Sequence, residues 1–215
     1  MFTLLKIITR VLRNSSFLIS ILSLLTFSCS DQPQKLIKEN KGMVILVQPF
    51  NDLKPESVKF VTSEIKKVYP NVKVLNPIDL PENAYYNERK RYKADSIIKV
   101  LSKTTKDGFV TIGLTSNDIS TTKGKIKDFG IMGLGYRPGK ACVASSFRLN
   151  KEKINEQLFK IAIHELGHTQ GLEHCPEKTC FMRSAEGKNP TDEEIDFCKK
   201  CKTFLINKNW KFNSI

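Results

Sequence analysis

The sequence lacks any apolar run that reaches the ~20 residues a membrane-spanning helix needs, which excludes a multi-span membrane protein. It has no internal repeat and no low-complexity tract. Its eleven glycines and nine prolines are ordinary usage, so collagen-like and fully disordered readings fail as well. No glycine-rich loop stands between a strand and a helix at the spacing of a phosphate-binding fingerprint. Acidic residues are in short supply: 22 Asp and Glu face 35 Lys and Arg, for a formal net charge of +13. There are three histidines and six cysteines in 215 residues, a length that suits one medium domain with its own core.

Part of the positive charge belongs to the first residues. Lys6, Arg10 and Arg13 precede an uncharged stretch, 14–30, whose apolar core runs from Phe17 to Phe27. A basic segment followed by about a dozen apolar residues has the form of an export signal and is short for a spanning helix. It ends Leu25-Thr-Phe-Ser-Cys29-Ser, which is similar to a relaxed bacterial lipobox, although Phe27 stands where a small residue is usual. The expectation is a lipoprotein-type signal over residues 1–28, lipidation at Cys29, a polar tether over 29–42 and a folded domain over 43–215. Ordinary cleavage and a retained anchor are the alternatives. Loss of residues 1–28 removes three cations and no anion, leaving +10. Acyl chains contribute about 0.8 kcal/mol of membrane affinity per buried methylene. The mature chain is thus expected to be exported and membrane-anchored in a bacterial cell envelope.

The body reads as an α/β fold. Met43 to Gln48, closed by Pro49, has the pattern of a buried strand, and Pro55 to Tyr69 carries Val58, Val61, Ile65 and Val68 at helical spacing. Val72 to Leu75 is a second strand. The stretch from Asn87 to Ser102 puts Tyr92, Ile97, Ile98 and Leu101 on one helical face, and its Lys/Arg-rich remainder reads as a solvated surface, so no nucleic-acid partner is expected. Phe109 to Leu114 and Ala141 to Phe147 are further strands, with Gly130, Gly133, Gly135 and Gly139 marking turns or bulges of an edge ribbon between them. Asn150 can cap a helix whose packing face is Leu158, Phe159, Ala162, Ile163 and Leu166. Asp192 to Phe204 is expected as a last helix, with Trp210 and Phe212 as an anchor. The expected architecture is a mixed, twisted sheet with flanking helices.

All three histidines fall within His164-Glu165-Leu-Gly-His168-Thr-Gln-Gly171-Leu-Glu-His174. At ordinary residue usage, five such positions arise by chance with odds below about one in ten thousand. His164 and His168 are four apart and leave one helix face a turn apart, and Gly171 allows a sharp turn that swings His174 back toward them. Three neutral nitrogens leave a fourth zinc position open, as a catalytic site requires. Zinc lowers the pKa of bound water to about 7, and Glu165 is the expected general base, so the chemistry expected is peptide-bond hydrolysis. The alternative is a membrane-tethered, zinc-bearing lipoprotein that binds peptides without efficient turnover. Cys175, Cys180, Cys198 and Cys201, in CxxxxC and CxxC pairs, suit a closed tetrahedral zinc site. Two disulfides are the competing reading, which an export signal favours. Cys142 has no partner in either scheme and reads as a small buried residue, with a reactive thiol as the alternative.

The histidine motif followed by Met182 resembles that of metzincin metallopeptidases. The cysteines around it, Cys175, Cys180-Phe-Met182 and Cys198-Lys-Lys-Cys201, are similar to the archaemetzincin family. The likeness extends upstream through Leu80-Pro-Glu-Asn-Ala-Tyr-Tyr, Arg89-Lys-Arg-Tyr92 and Ser145-Ser-Phe-Arg-Leu149. The resemblance implies a metzincin-like sheet, an active-site helix and a Cys-rich C-terminal segment. It also implies two Zn2+ ions, catalytic on the histidines and structural on the cysteines, with Met182 packing beneath the histidines without binding metal. The spacer 183–197 has fifteen residues, about two fewer than the family pattern. The partners implied are a peptide or protein substrate and the membrane, with the chain as a monomer.

Overall fold

The computed structural model describes residues 42–212; the expected signal segment, Cys29 and nearly all of the tether lie outside the described residues. The main sheet has five strands in the order β2-β1-β5-β9-β8. They are β1 (Val44–Pro49), β2 (Val72–Val74), β5 (Phe109–Thr115), β8 (Gly133–Gly135) and β9 (Ala141–Ser145). β1 pairs in parallel with β2 and β5, β5 in parallel with β9, and β8 runs antiparallel along β9 as the edge. The continuous apolar runs that mark β1, β5 and β9 in the sequence follow from burial on both faces. Ile45, Val47, Ile112, Leu114, Cys142 and Ala144 share one core cluster with α1 (Pro55–Val68) and α3 (Ile154–Gln170), whereas Ala141 and Val143 share the other with α2 (Ala94–Thr104).

A second sheet, order β3-β4-β6-β7, goes beyond the sequence reading. It joins β3 (Tyr85–Tyr86), β4 (Arg91–Lys93), β6 (Ile119–Lys123) and β7 (Ile126–Ile131). The helix expected from Asn87 starts only at Ala94. Lys90 takes a left-handed φ of 50°, and the next residues pair as β4, with the Tyr92 N–H donating to Asp118 O and its ring 5.0 Å from that of Tyr85.

Asn150 accepts the Glu152 N–H through its side chain and opens a 3-10 turn at Lys151–Lys153 that leads into α3. The last helix, α4 (Lys199–Ile206), begins seven residues later than expected from Asp192. The backbone before it is committed elsewhere: Ile195 N–H donates to Thr179 O and Phe181 N–H to Asp196 O. Trp210 is buried against Tyr69 and Phe197, and Phe212 meets Phe197, as anchors. No helix among the described residues is long and apolar enough to cross a membrane.

Candidate metal centre

α3 carries His164 and His168 one turn apart and stops at Gly171, whose φ of 107° is left-handed backbone that a side chain would strain. The Gly171 N–H closes on the carbonyls of Gly167 and His168, and the chain then returns with His174. The three rings lie with centroids 4.7, 4.8 and 5.4 Å apart. His168 Nε2 is 3.3 Å from His174 Nε2. Two nitrogens bound at 2.0–2.1 Å to one tetrahedral zinc stand about 3.3–3.4 Å apart, so the donor set fits that ion.

Two of the rings are held from behind. His164 Nδ1 lies 2.6 Å from Phe181 O and His168 Nδ1 2.8 Å from Leu172 O. A carbonyl only accepts, so each Nδ1 carries the proton and leaves Nε2 free to bind metal. Burial lowers His164 to about 3, aided by its neighbour His168, and burial also lowers His168 and His174. All three are therefore neutral, the ligand form.

Glu165 is buried and lines the same cleft, a cavity of about 690 Å³ bounded by residues 129–135 on one side and 183–190 on the other. Its carboxylate fits because β8 is glycine-rich. A Cβ at Gly133 would stand 2.6 Å from Glu165 Oε1, and one at Gly135 2.7 Å from the Glu165 carbonyl. Burial pushes the carboxyl up to about 8. Met182 is fully buried beneath the helix at Gly167, where a Cβ would stand 2.5 Å from its Sδ. Gly133, Gly135 and Gly167 are thus positional requirements of the site that motif spacing did not reveal.

The four cysteines expected to group together do so, with their Sγ atoms all within 4.8 Å of one another. They are free thiols, and Cys175 Sγ is 3.7 Å from Cys198 Sγ. A disulfide needs about 2.05 Å, whereas two sulfurs at about 2.3 Å from one tetrahedral zinc are about 3.8 Å apart. The Cys201 thiol, together with the N–H groups of Cys198 and Met182, lowers the Cys180 thiol toward the thiolate that metal binding requires. Cys142 is buried away from this cluster, and burial raises its thiol pKa. Tyr136 donates to Asp95 Oδ1 at 2.6 Å and Tyr86 lies under the Lys93 ammonium, so neither lines the cleft. Glu194 does line it, and no motif singled it out.

A family model described as peptidase family M54 matches residues 20–207 of the chain. The archaemetzincin of Methanocaldococcus jannaschii is 31% identical over 169 residues, 74% of this chain and 90% of the relative. That of Archaeoglobus fulgidus is 32% identical over 164 residues, 74% of this chain and 96% of the relative. Among solved structures, the archaemetzincin of Methanopyrus kandleri matches with a TM-score of 0.68 at 27% identity, covering 81% of this chain and 99% of that one. The archaemetzincin of Archaeoglobus fulgidus complexed with malonate matches with a TM-score of 0.65 at 29% identity, covering 75% and 99%.

Proposed function

Since the chain belongs to the archaemetzincin family, peptidase family M54, and is a zinc metallopeptidase, we propose that it cleaves peptide bonds in this cleft with Glu165 as general base. His164, His168 and His174 hold the catalytic zinc in this reading, and Cys175, Cys180, Cys198 and Cys201 hold a second, structural one. The observation that carries it is the convergence of three neutral imidazoles beside one buried carboxylate in a single cleft. When bound there, zinc supplies Lewis acidity toward a carbonyl and acidifies water to a pKa of about 7. Glu165 accepts the proton of the attacking water and passes it to the leaving amine. The Phe181 and Leu172 carbonyls keep the rings aimed, and Met182 supports them from below. Every residue of this reading lies on one chain, so a monomer suffices.

A peptide library read by mass spectrometry, with and without a chelator, tests the function: chelator-sensitive cleavage is expected. Glu165→Gln is expected to keep zinc and lose turnover by several orders of magnitude, and full activity in that variant would remove Glu165 from the role. Peptide binding without chelator-sensitive cleavage would leave a binding lipoprotein instead. We also propose export and acylation at Cys29, supported by the basic segment, the short apolar run and Ser28 before the cysteine. Palmitate is expected to label the wild type and not Cys29→Ala; equal labelling refutes the anchor.

A further inference from the structure

Glu194 is an acid in the wall of this cleft that the reaction does not use. It is 4% exposed, and among the described residues no hydrogen bond or ion pair reaches its carboxylate. The three arginines that line the cleft are engaged elsewhere, and Lys123 and Lys188 also line it. Arg183 Nη1 is 2.6 Å from Glu193 Oε2, Arg137 Nη2 3.0 Å from Glu173 Oε1, and Arg148 forks onto Asp118 at 2.9 Å through both nitrogens. Lys160, beside Glu194 on the buried side, spends its three donors on Thr191 O, the Glu194 backbone carbonyl and Glu156 Oε1. That ammonium secures the Glu194 backbone and leaves the side chain unmatched.

An ionised carboxylate without a partner in such a place is costly, and such groups mark places where a ligand brings the missing charge. Burial raises Glu194 to about 7, and Lys160 and Arg183 offset only part of that rise. The same cleft presents Ile161, Ala185 and Pro190, apolar surface suited to the methylenes of a long side chain.

We propose that Glu194 forms the end of a substrate pocket that receives the ammonium or guanidinium of a lysine or arginine side chain, making the enzyme selective for basic residues close to the scissile bond. The proposal rests on the reading of this cleft as the place where peptides are cut. One carboxylate in a cleft that also presents aliphatic side chains matches a single organic cation, which provides one charge and a hydrocarbon stem.

The test uses zinc-loaded Glu165→Gln protein, which binds peptides without turning them over. Paired peptides differ only in lysine or norleucine, placed in turn at each position of one peptide sequence. At one position the lysine peptide is expected to bind at least tenfold tighter, about 1.4 kcal/mol at 25 °C. Adding Glu194→Gln should bring the two affinities together, whereas Glu194→Asp, which keeps the charge, should keep part of the preference. Equal binding of the pairs at every position overturns the proposal. So does a lysine preference that survives Glu194→Gln, or a folded Glu194→Asp protein with none. Lysine-selective binding without cleavage by the wild type refutes the peptidase reading and spares this one. Cleavage without lysine selectivity does the reverse.

Discussion

Replacing Gly133 with alanine isolates the position of one carboxylate. The new Cβ would stand 2.6 Å from Glu165 Oε1, 2.7 Å from Ile161 Cγ2 and 2.8 Å from Glu165 Cγ. Regaining an ordinary contact near 3.4 Å requires a movement of about 0.8 Å. The part that yields most easily is the end of the Glu165 side chain, because it rotates freely about its own bonds while Ile161 is packed in the core. Gly133 does not have positive φ, so alanine brings no backbone strain, and its lower unfolded-state entropy offsets part of the crowding. Stability is therefore expected to change by no more than about 1–2 kcal/mol. Catalysis depends more steeply on position: displacing a reacting group by about 1 Å costs on the order of 100-fold. Gly133→Ala is expected to lower kcat by roughly that factor, with KM changed far less and zinc content unaltered, because no histidine contact is touched. The assay pairs steady-state kinetics on a cleaved peptide with metal analysis and urea unfolding. A kcat within about threefold of wild type at full zinc occupancy would refute the reasoning, and a loss matched by unfolding or zinc release would assign Gly133 to stability instead.

Lys160→Met leaves the buried carbonyls of Thr191 and Glu194 without their donor, at about 1–3 kcal/mol each, so the urea midpoint should fall markedly; an unchanged midpoint refutes that role. Gly171→Ala forces a side chain onto φ 107°, at a cost of about 1–2 kcal/mol, and should lower Tm while weakening zinc retention against a competing chelator. Retention equal to wild type would show that His174 tolerates a shifted turn. Cys198→Ser should reduce bound zinc from two equivalents to one and weaken the remaining ion about 10–100-fold; two equivalents in that variant would refute the cysteine site.

The parts of the site that were legible in the sequence are those whose geometry is local. His164 and His168 meet through helical spacing, His174 returns through Gly171 three residues before it, and each cysteine pair is close in sequence. What stayed hidden depends on partners far along the chain. Gly133 and Gly135 have meaning only against Glu165, and Gly167 only against Met182. Among the acids of Asp192-Glu-Glu194-Ile-Asp196, Glu194 alone is buried, and nothing in the run distinguishes it. The second sheet was missed for the same reason: β4 and β6 are short and rich in Thr, Ser and Lys, and β4 becomes a strand because Tyr92 finds Ile119. In contrast, the central strands β1, β5 and β9 declared themselves through burial on both faces.

The histidine and cysteine clusters are mechanically one unit, and this bears on the proposed export. Cys175 follows His174 directly, so any shift of its sulfur pulls on a histidine. Cys180, Phe181 and Met182 are consecutive, and they contribute a thiol to the cysteine cluster, the carbonyl that holds His164 and the support beneath Gly167. The Cys175 N–H donating to Met182 O at 2.8 Å ties these two segments together. Joining Cys175 to Cys198 as a disulfide would close a 3.7 Å gap to about 2.05 Å and draw His174 with it. In an oxidising compartment, zinc held by the four thiolates as proposed would oppose that movement. The cysteine cluster would then preserve the aim of the histidines while making no contact with substrate, which is why its loss should be felt first as weaker metal binding at the histidine site.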